Sequence, residues 1–546
     1  MQNNILILFI IFCLTSTNVF AGKGEGINIK NTEPSVILTP KPVSAPRING
    51  PKIYGARPGN PFLYRIPAQG ERPMTFSASG MPKGLQLDAQ TGIITGTTPP
   101  HGEYKITLHA KNAHGHDRRS LKLVSGDKLS LTPPMGWNSW YAHKGRITDA
   151  KMREAADIMI SSGMADVGYQ YVNVDACWQV YPIPAAFSTN PESKDATDWA
   201  GRPRSNPVLA NGPGMRGENP PRDENGIIRP NRNFPDMKGM TDYIHGLGLK
   251  AGIYSSPGVW DCVDASGSWQ HEEQDAETYA GWGFDFLKYD FCSYGSMSGN
   301  FNRPLPELDD MIRPFKLMGG LLRHQSRDIV FNLCQYGWND VWKWGEEVGG
   351  QSWRTGGDLG NELSRLFEVA LKNCEYRDWQ KPGAWNDPDY IQIGYIYNWK
   401  NNTAPCPFTP TEQYSFMSLW ALMASPLFFS GDMSKLDEFT LNVLCNPEVI
   451  DVDQDPLGQC ARVVKLDEGT FLMVKDLADG TKAVGLCNQS ENKVSVTAKW
   501  SDVGVKGKLR VRDLWRQKDL GKFSSEFVAE VPSRGVVLLK IGKPNL

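Results

Sequence analysis

The sequence carries almost no excess charge. Its 58 Lys and Arg stand against 60 Asp and Glu in 546 residues, a net of −2 with histidine neutral. A chain so balanced has no general electrostatic pull on nucleic acid or an acidic membrane, and nucleic acid is not expected as a partner. Histidine is scarce, at eight residues, without metal-type spacing, and no phosphate-cradling glycine loop is present. No segment beyond the N-terminus is apolar enough to span a bilayer. Ten cysteines are too few for a fold built wholly on disulfides at this length. Glycine and proline, at 54 and 38, are abundant and announce many turns and long loops. With 40% hydrophobic and 22% charged residues, the chain describes a globular protein of about three domains.

Residues 1–21 read as a secretory signal peptide. Ile5–Ile11 with Cys13 and Leu14 form the short apolar run, and Val19-Phe20-Ala21 offers a small-residue cleavage site, although Met1-Gln2-Asn3-Asn4 lacks Lys and Arg. A secreted or periplasmic location follows as an expectation. Removing Cys13 leaves nine cysteines, so at least one stays unpaired. Residues 22–47 are rich in Gly, Lys, Pro, Ser and Thr without periodicity and read as a linker. Residues 48–128 read as a small β domain. Tyr104–Ala110 alternates apolar and polar, and Pro82–Asp88 and Thr91–Thr97 are strands broken by tight turns. Their Pro-x-Gly-Leu-x-Leu-Asp and Thr-Gly-Ile-Ile-x-Gly pattern resembles immunoglobulin-like modules of secreted bacterial proteins; the module is read as a spacer, with sugar binding as the alternative.

The texture changes over residues 129–455. Short apolar strands alternate with helical stretches. Thr148 is a good N-cap, and Met152, Ala155, Ala156 and Met159 fall at i, i+3, i+4, i+7. Strands are expected near Gly136-Trp137, Tyr171–Asp175, Lys250–Tyr254, Phe286–Asp290, Ile329–Leu333, Trp353-Arg354, Ala384–Asn386 and Pro426–Phe429. Eight such units predict a (β/α)8 TIM barrel. Tyr181–Asn231, rich in Pro, Gly and Asn, is a long loop after the second strand. Residues 456–546 lose the helical pattern and read as a C-terminal antiparallel β-sandwich, with a hairpin turn at Ala478-Asp479-Gly480.

In such a barrel, polar residues that end a strand face its mouth. Asp175, Tyr254, Lys288 with Asp290, Arg354 with Asp358, and Asp387 with Asp389 occupy such ends. Lys288 and Asp290 share one strand face, and the ammonium is expected to keep the carboxylate ionised, as a nucleophile requires. Gly356 and Gly357 let Asp358 swing over the mouth. Two carboxylates flanking one bond are what a glycosidase needs, and the proton donor is expected to have a raised pKa. Taken singly, a Lys-x-Asp is more often a surface ion pair, Asp358 more often a turn former, and Asp387 before Pro388 a turn or cap. Trp137, Trp140, Trp178, Trp353 and Trp385 lie at predicted strand ends, where a ring can face a sugar, although seventeen tryptophans can equally be core.

Leu131-Thr132-Pro133-Pro134-Met135-Gly136-Trp137-Asn138-Ser139-Trp140, Phe286–Asp290, Ser352–Asp358, Trp385–Asp389 and Asp453–Gly458 occur in one order. Together they resemble glycoside hydrolase family 27, the melibiase-type α-galactosidases. The resemblance covers residues 130–546. It implies a retaining exo-glycosidase that needs no metal or other cofactor and acts on an oligosaccharide or polysaccharide. Asp290 would be the nucleophile and Asp358 the general acid/base. Trp140, Asp175, Tyr254, Lys288, Gln335 and Arg354 would contact the sugar, with Asp389 behind them. Cys262 and Cys292 match the family's disulfide beside the nucleophile.

Two positions depart from the pattern. Asp175-Ala176-Cys177-Trp178 has one carboxylate where α-galactosidases usually place two, and losing a charged hydrogen bond to a buried sugar hydroxyl costs about 1.5–3 kcal/mol. Gln335 stands where those enzymes commonly carry Glu. The expected substrate is a terminal α-D-galactosyl unit. The alternatives are a β-L-arabinopyranoside or another galacto-configured sugar, and, from another class, a non-catalytic carbohydrate-binding or adhesion protein. Contacts from the 181–231 insertion are expected to replace those lost at Ala176.

Overall fold

Eight short stretches that bury both faces are the seed of the central sheet. They are β1 (Met135–Asn138), β2 (Tyr171–Asn173), β3 (Lys250–Ser255), β4 (Phe286–Asp290), β5 (Val330–Cys334), β6 (Ser352–Arg354), β7 (Trp385–Asp387) and β8 (Leu427–Phe429). The computed structural model describes residues 36–180, 221–263, 265–292, 294, 306–360, 363–398 and 402–543. The signal-peptide reading of 1–21 and most of the long loop, 181–220, lie outside the described residues.

All eight predicted strands are present and pair in parallel in the order β7-β6-β5-β4-β3-β2-β1-β8. The sheet closes on itself beyond β7. Ile391 N–H donates to the Phe428 carbonyl at 2.8 Å, and Ser430 N–H donates to the Ile391 carbonyl at 2.9 Å. Every strand is parallel, so all C-terminal ends open on one face, the mouth.

Side-chain alternation sorts β4 into two sets. Leu287 and Tyr289 point outward into the core shared with the helices. Phe286, Lys288 and Asp290 point inward and climb from floor to mouth. At the floor, Phe286 packs with Tyr171 and Phe428, with ring centroids 5.3–6.1 Å apart. The predicted helix forms as Asp149–Ser161. The Thr148 hydroxyl accepts from Lys151 N–H at 3.3 Å, and Met152, Ala155, Ala156 and Met159 are its buried face.

The immunoglobulin-like module pairs strands 53–56, 115–125, 102–112 and 75–79 in one sheet and 61–65, 93–97 and 85–87 in another, around its own apolar core. It docks on the barrel floor. Asp328, just before β5, accepts from Arg57 N–H at 3.0 Å and from Asn60 Nδ2 at 2.8 Å, and Arg72 pairs with Asp166 at 2.9 Å. Residues 36–39, read from composition as linker, are anchored instead. Thr39 N–H donates to Asn442 Oδ1 at 2.9 Å, and Leu38 N–H donates to the Tyr414 hydroxyl at 3.1 Å.

The C-terminal domain has a six-stranded antiparallel sheet facing a two-stranded one. Two of its strands, Arg462–Asp467 and Lys518–Phe523, were not expected from sequence. Its other face joins the barrel core, with Phe471, Met473 and Cys487 among the same buried cluster as helix Pro410–Met423. The Asp453–Gly458 motif is the joint. Gln454 Nε2 donates to the Pro133 carbonyl at 2.8 Å, and Asp455 accepts from Ala478 N–H at 3.0 Å.

Gly136 in β1 makes room for the aromatic floor. A Cβ there would lie 2.4 Å from the Tyr171 carbonyl oxygen and 2.6 Å from its Cβ. Backbone cannot yield as a side chain can, so Gly136→Ala is expected to lower stability by about 2 kcal/mol. Denaturant unfolding checks this; an unchanged midpoint would mean that the floor has slack.

Candidate active site

Each predicted site residue lies at the C-terminal end of a barrel strand or in the loop that follows it. Trp140 follows β1, Asp175 follows β2, Tyr254 is in β3, Lys288 and Asp290 are in β4, Gln335 follows β5, Arg354 ends β6, and Asp358 and Asp389 lie in the loops after β6 and β7. Parallel pairing gathers them. Tyr254 is in register with Lys288, and Asp290 with Cys334.

The buried base of the mouth is an ion pair. Lys288 Nζ donates to Asp175 Oδ2 at 2.9 Å, and both side chains are buried. The ammonium lies 5.3 Å from the Tyr254 ring centre and 5.2 Å from that of Tyr390, in cation–π range. Burial is the largest single influence and works against the charged lysine, but Asp175, with Tyr390, Cys334 and Asp290 adding to it, holds the ammonium well above its usual pKa. This corrects the expectation from i, i+2 spacing. Lys288 pairs across the barrel with Asp175, not with Asp290.

Asp290 is buried. Its Oδ1 accepts from the Tyr336 hydroxyl at 2.7 Å. Burial pushes its carboxyl up to about 6, with Asp358 and Asp175 adding to the rise and Lys288 and Tyr336 opposing it. Asp358 is arranged oppositely. Its side chain is 59% exposed at the mouth, and Oδ1 accepts from both terminal nitrogens of Arg354 at 3.4 Å. Partial withdrawal from water raises its carboxyl, but Arg354, then Lys288, with Lys144 further off, bring it below the ordinary aspartate value. The two pKa shifts therefore run opposite to the expected directions in the free protein. Burial lifts Asp290, and Arg354 lowers Asp358.

Arg354 is the second anchor. Its Nη2 donates to the carbonyls of Gly356 and Gly357 at 3.2 and 2.8 Å, curling the glycine loop that carries Asp358, and lies 3.3 Å from Asp389 Oδ2. Asp389, at φ +113°, is turned inward after Pro388. Asp389 also accepts from the Tyr141 hydroxyl at 3.0 Å and from Leu359 N–H at 2.9 Å. Asp387 fits its turn reading, accepting from Asp389 N–H at 3.0 Å.

Four of the five tryptophans proposed to face a sugar are core. Trp137, Trp178, Trp353 and Trp385 are fully buried, and their indole N–H groups donate to Gly431 O, Tyr254 O, Asn386 Oδ1 and Ser130 O at 2.7–2.8 Å. Trp140 alone of the five is partly exposed, with Lys144 Nζ 4.8 Å from its ring centre. Gln335 is fully buried, and neither its amide oxygen nor its amide nitrogen has a hydrogen-bond partner among the described residues. Ala176 is a buried methyl beside Asp175, and the part of the insertion expected to compensate for it falls at 181–220, outside the described residues.

Cys262 and Cys292 form the expected disulfide, and their sulfurs lie within 4.8 Å of the Asp290 carboxylate. These three are the one cluster of three grouped metal-ligand types among the described residues, and the sulfur–sulfur bond leaves no thiolate for an ion. Seven further described cysteines are thiols. Sequence reasoning missed three tyrosines, Tyr141, Tyr336 and Tyr390. Each lies one residue after a chosen position, at Trp140, Gln335 and Asp389, and that adjacency was the available signal.

A parallel barrel with a carboxylate pair in its mouth has the groups that a glycoside hydrolase needs, and the relatives of this chain are of that class. Family models match three stretches: alpha galactosidase A over residues 218–455, the alpha galactosidase C-terminal β-sandwich domain over 467–541, and an Ig domain over 45–126. The chain is 34% identical to an α-galactosidase of Cyamopsis tetragonoloba, over 79% of this chain and 90% of that one. It is 30% identical to α-galactosidase A of Cellvibrio japonicus, over 76% and 93%. Among solved structures, a melibiase-type protein of Bacteroides fragilis superposes with a TM-score of 0.78 at 32% identity, over 93% of this chain and 99% of that one. The chain belongs to the melibiase-type α-galactosidases, glycoside hydrolase family 27.

The buried Asp290 generates a stability prediction. Its native carboxyl, at about 6, lies above the ordinary 3.8, so the folded state binds this proton more tightly than the unfolded chain. The carboxylate therefore costs nothing below pH 4, a growing amount between pH 4 and 6, and about 3 kcal/mol above pH 6. Asp290→Asn is expected to melt higher than the parent at pH 7.5, with the gap closing near pH 4. Thermal unfolding at both pH values checks it; a gap independent of pH would contradict it.

Proposed function

We propose that the protein is a retaining exo-glycosidase that releases terminal, non-reducing α-D-galactosyl residues by double displacement. The observation that carries this reading is the pair of carboxyls, Asp290 buried and Asp358 at the rim, in one mouth whose base is the Lys288–Asp175 ion pair. Asp290 attacks the anomeric carbon while Asp358 gives its proton to the departing glycosidic oxygen. Water then attacks the galactosyl–Asp290 ester from the opposite face. Asp358 takes the water proton, and Asp290 leaves as carboxylate.

The lowered Asp358 pKa of the free protein is the starting point of this cycle. A sugar that fills the mouth desolvates Asp358 and draws Arg354 N–H groups toward its hydroxyls. Both changes raise the Asp358 pKa toward that of a donor. Asp175 and Lys288 are placed to fix the sugar at depth, Tyr254 and Trp140 to offer apolar faces, and Asp389 to hold Arg354. The amide of Gln335 has its bonding capacity free for a sugar hydroxyl.

A second reading is favoured by one position. The methyl of Ala176 offers nothing to a C6 hydroxyl, so a β-L-arabinopyranoside, which resembles galactose without C6, loses no contact there. Whichever sugar is taken, we propose a secreted or periplasmic setting, supported by the leader-like residues 1–21 and by the Cys262–Cys292 bridge.

Hydrolysis of 4-nitrophenyl α-D-galactoside and 4-nitrophenyl β-L-arabinopyranoside, run side by side, is the deciding assay. Faster turnover of the galactoside is expected. Faster turnover of the second substrate would select the arabinopyranosidase reading, and binding without any turnover would select a carbohydrate-binding protein. Asp290→Asn is expected to abolish turnover. Asp358→Ala should lose about 10²–10⁴-fold, with azide restoring part of the rate and giving α-galactosyl azide.

A further inference from the structure

We propose that Tyr336 is a positioning residue for Asp290: its hydroxyl holds one carboxylate oxygen in place and leaves the other to attack the sugar. The inference rests on the reading of Asp290 as nucleophile. The 2.7 Å bond from the Tyr336 hydroxyl to Oδ1 is the one side-chain hydrogen bond to this carboxylate among the described residues. Lys288, the neighbour that strand spacing nominates for this task, is committed to Asp175. Lys288 favours the ionised form of Asp290 through space, and the phenol is the donor in direct contact that does the same.

The backbone is shaped for this contact. Tyr336 lies in the turn that leaves β5 with φ +67°, a left-handed conformation that a bulky residue adopts only under constraint. The next residue, Gly337, also has positive φ, and a Cβ there would lie 2.4 Å from the Thr355 carbonyl oxygen, so the turn is pressed against the end of β6. The Tyr336 ring packs on Trp338 with centroids 5.2 Å apart, and its hydroxyl lies 3.6 Å from Cys262 Sγ. The disulfide thus borders the phenol and the carboxylate together.

The groups acting on Asp290 come from every side of the mouth. Lys288 is on its own strand, and Asp175 follows β2. Tyr254 is in β3, Tyr336 is beyond β5, and Asp358 is beyond β6. Two of these groups are neutral phenols; the Tyr254 hydroxyl lies 3.5 Å from Cys292 Sγ, and it is the Tyr336 hydroxyl that bonds the carboxylate. Burial and the adjacent negative charges keep the phenol protonated, so it remains a donor throughout the working pH range. Its bond is strongest to the carboxylate and weaker to the neutral ester, which favours departure of Asp290 in the second displacement.

Tyr336→Phe is the test, read as kcat/KM against pH with 4-nitrophenyl α-D-galactoside. Loss of a donor to the charged form raises the Asp290 pKa. The acidic limb is expected to move up by about one pH unit, a loss of about tenfold at pH 5, with a much smaller loss on the alkaline side of the optimum. Site-specific 3-fluorotyrosine at 336, a stronger donor of nearly the same shape, should move the limb the other way, which keeps the test open if the Phe variant folds poorly. An acidic limb unmoved in both proteins, whatever the loss of rate, overturns the inference. Turnover surviving in Asp290→Asn would instead overturn the nucleophile assignment beneath it.

Discussion

The contact between Lys288 and Asp175 sets the electrical state of the whole mouth. It joins β4 to the end of β2 across the barrel interior, where water does not reach, and two aromatic rings flank the ammonium. A buried pair of this kind is costly to break from one side, because the survivor is left as an uncompensated charge. It also engages a cation. With Lys288 bonded to Asp175, the lysine steadies Asp290 through space, while burial and two other aspartates push the other way. The raised pKa of Asp290 is thus first a consequence of burial, which the cation and the phenol only partly offset.

Arg354 plays the corresponding part on the other wall. One guanidinium holds the glycine-loop carbonyls, the buried Asp389 and the exposed Asp358. The Pro388-Asp389 excursion that supplies Asp389 is also the interruption after which Ile391 closes the sheet onto β8. Closure of the barrel and orientation of the rim carboxyl therefore meet in the same few residues. The two walls differ in kind: one is a sealed pair, the other a branched contact with a solvent-facing arm that substrate can displace.

Much of this was legible in the chain. Strands buried on both faces leave apolar runs, and β2, β3, β4, β5 and β8 announced themselves that way, while β1, β6 and β7 were marked only weakly; the helix capped by Thr148 showed by its periodicity. Polar residues at strand ends followed from topology. What stayed hidden depended on partners distant in sequence. Spacing placed Lys288 beside Asp290, yet its partner lies 113 residues away. Indole rings at strand ends look alike whether they face sugar or core, and four of the five turned inward to satisfy an N–H in the interior. Strands Arg462–Asp467 and Lys518–Phe523 lie at the two edges of their sheet and neither has a fully buried residue, so they carry too little apolar alternation to be seen.

The C-terminal sheet does not rest against the barrel as a separate body. Its inner face and helix Pro410–Met423 share one apolar interior, and Lys475 donates from the sheet to the backbone carbonyls of Ala421 and Val452 at 3.2 and 2.6 Å. The immunoglobulin-like module, by contrast, has its own interior and meets the barrel largely through polar links. The cooperative unit of melting is therefore the barrel together with the last ninety or so residues, roughly the scale of a small domain in itself. Heat would release the N-terminal module independently, whereas loss of the tail would strip the cover from a catalytic scaffold that cannot stand without it.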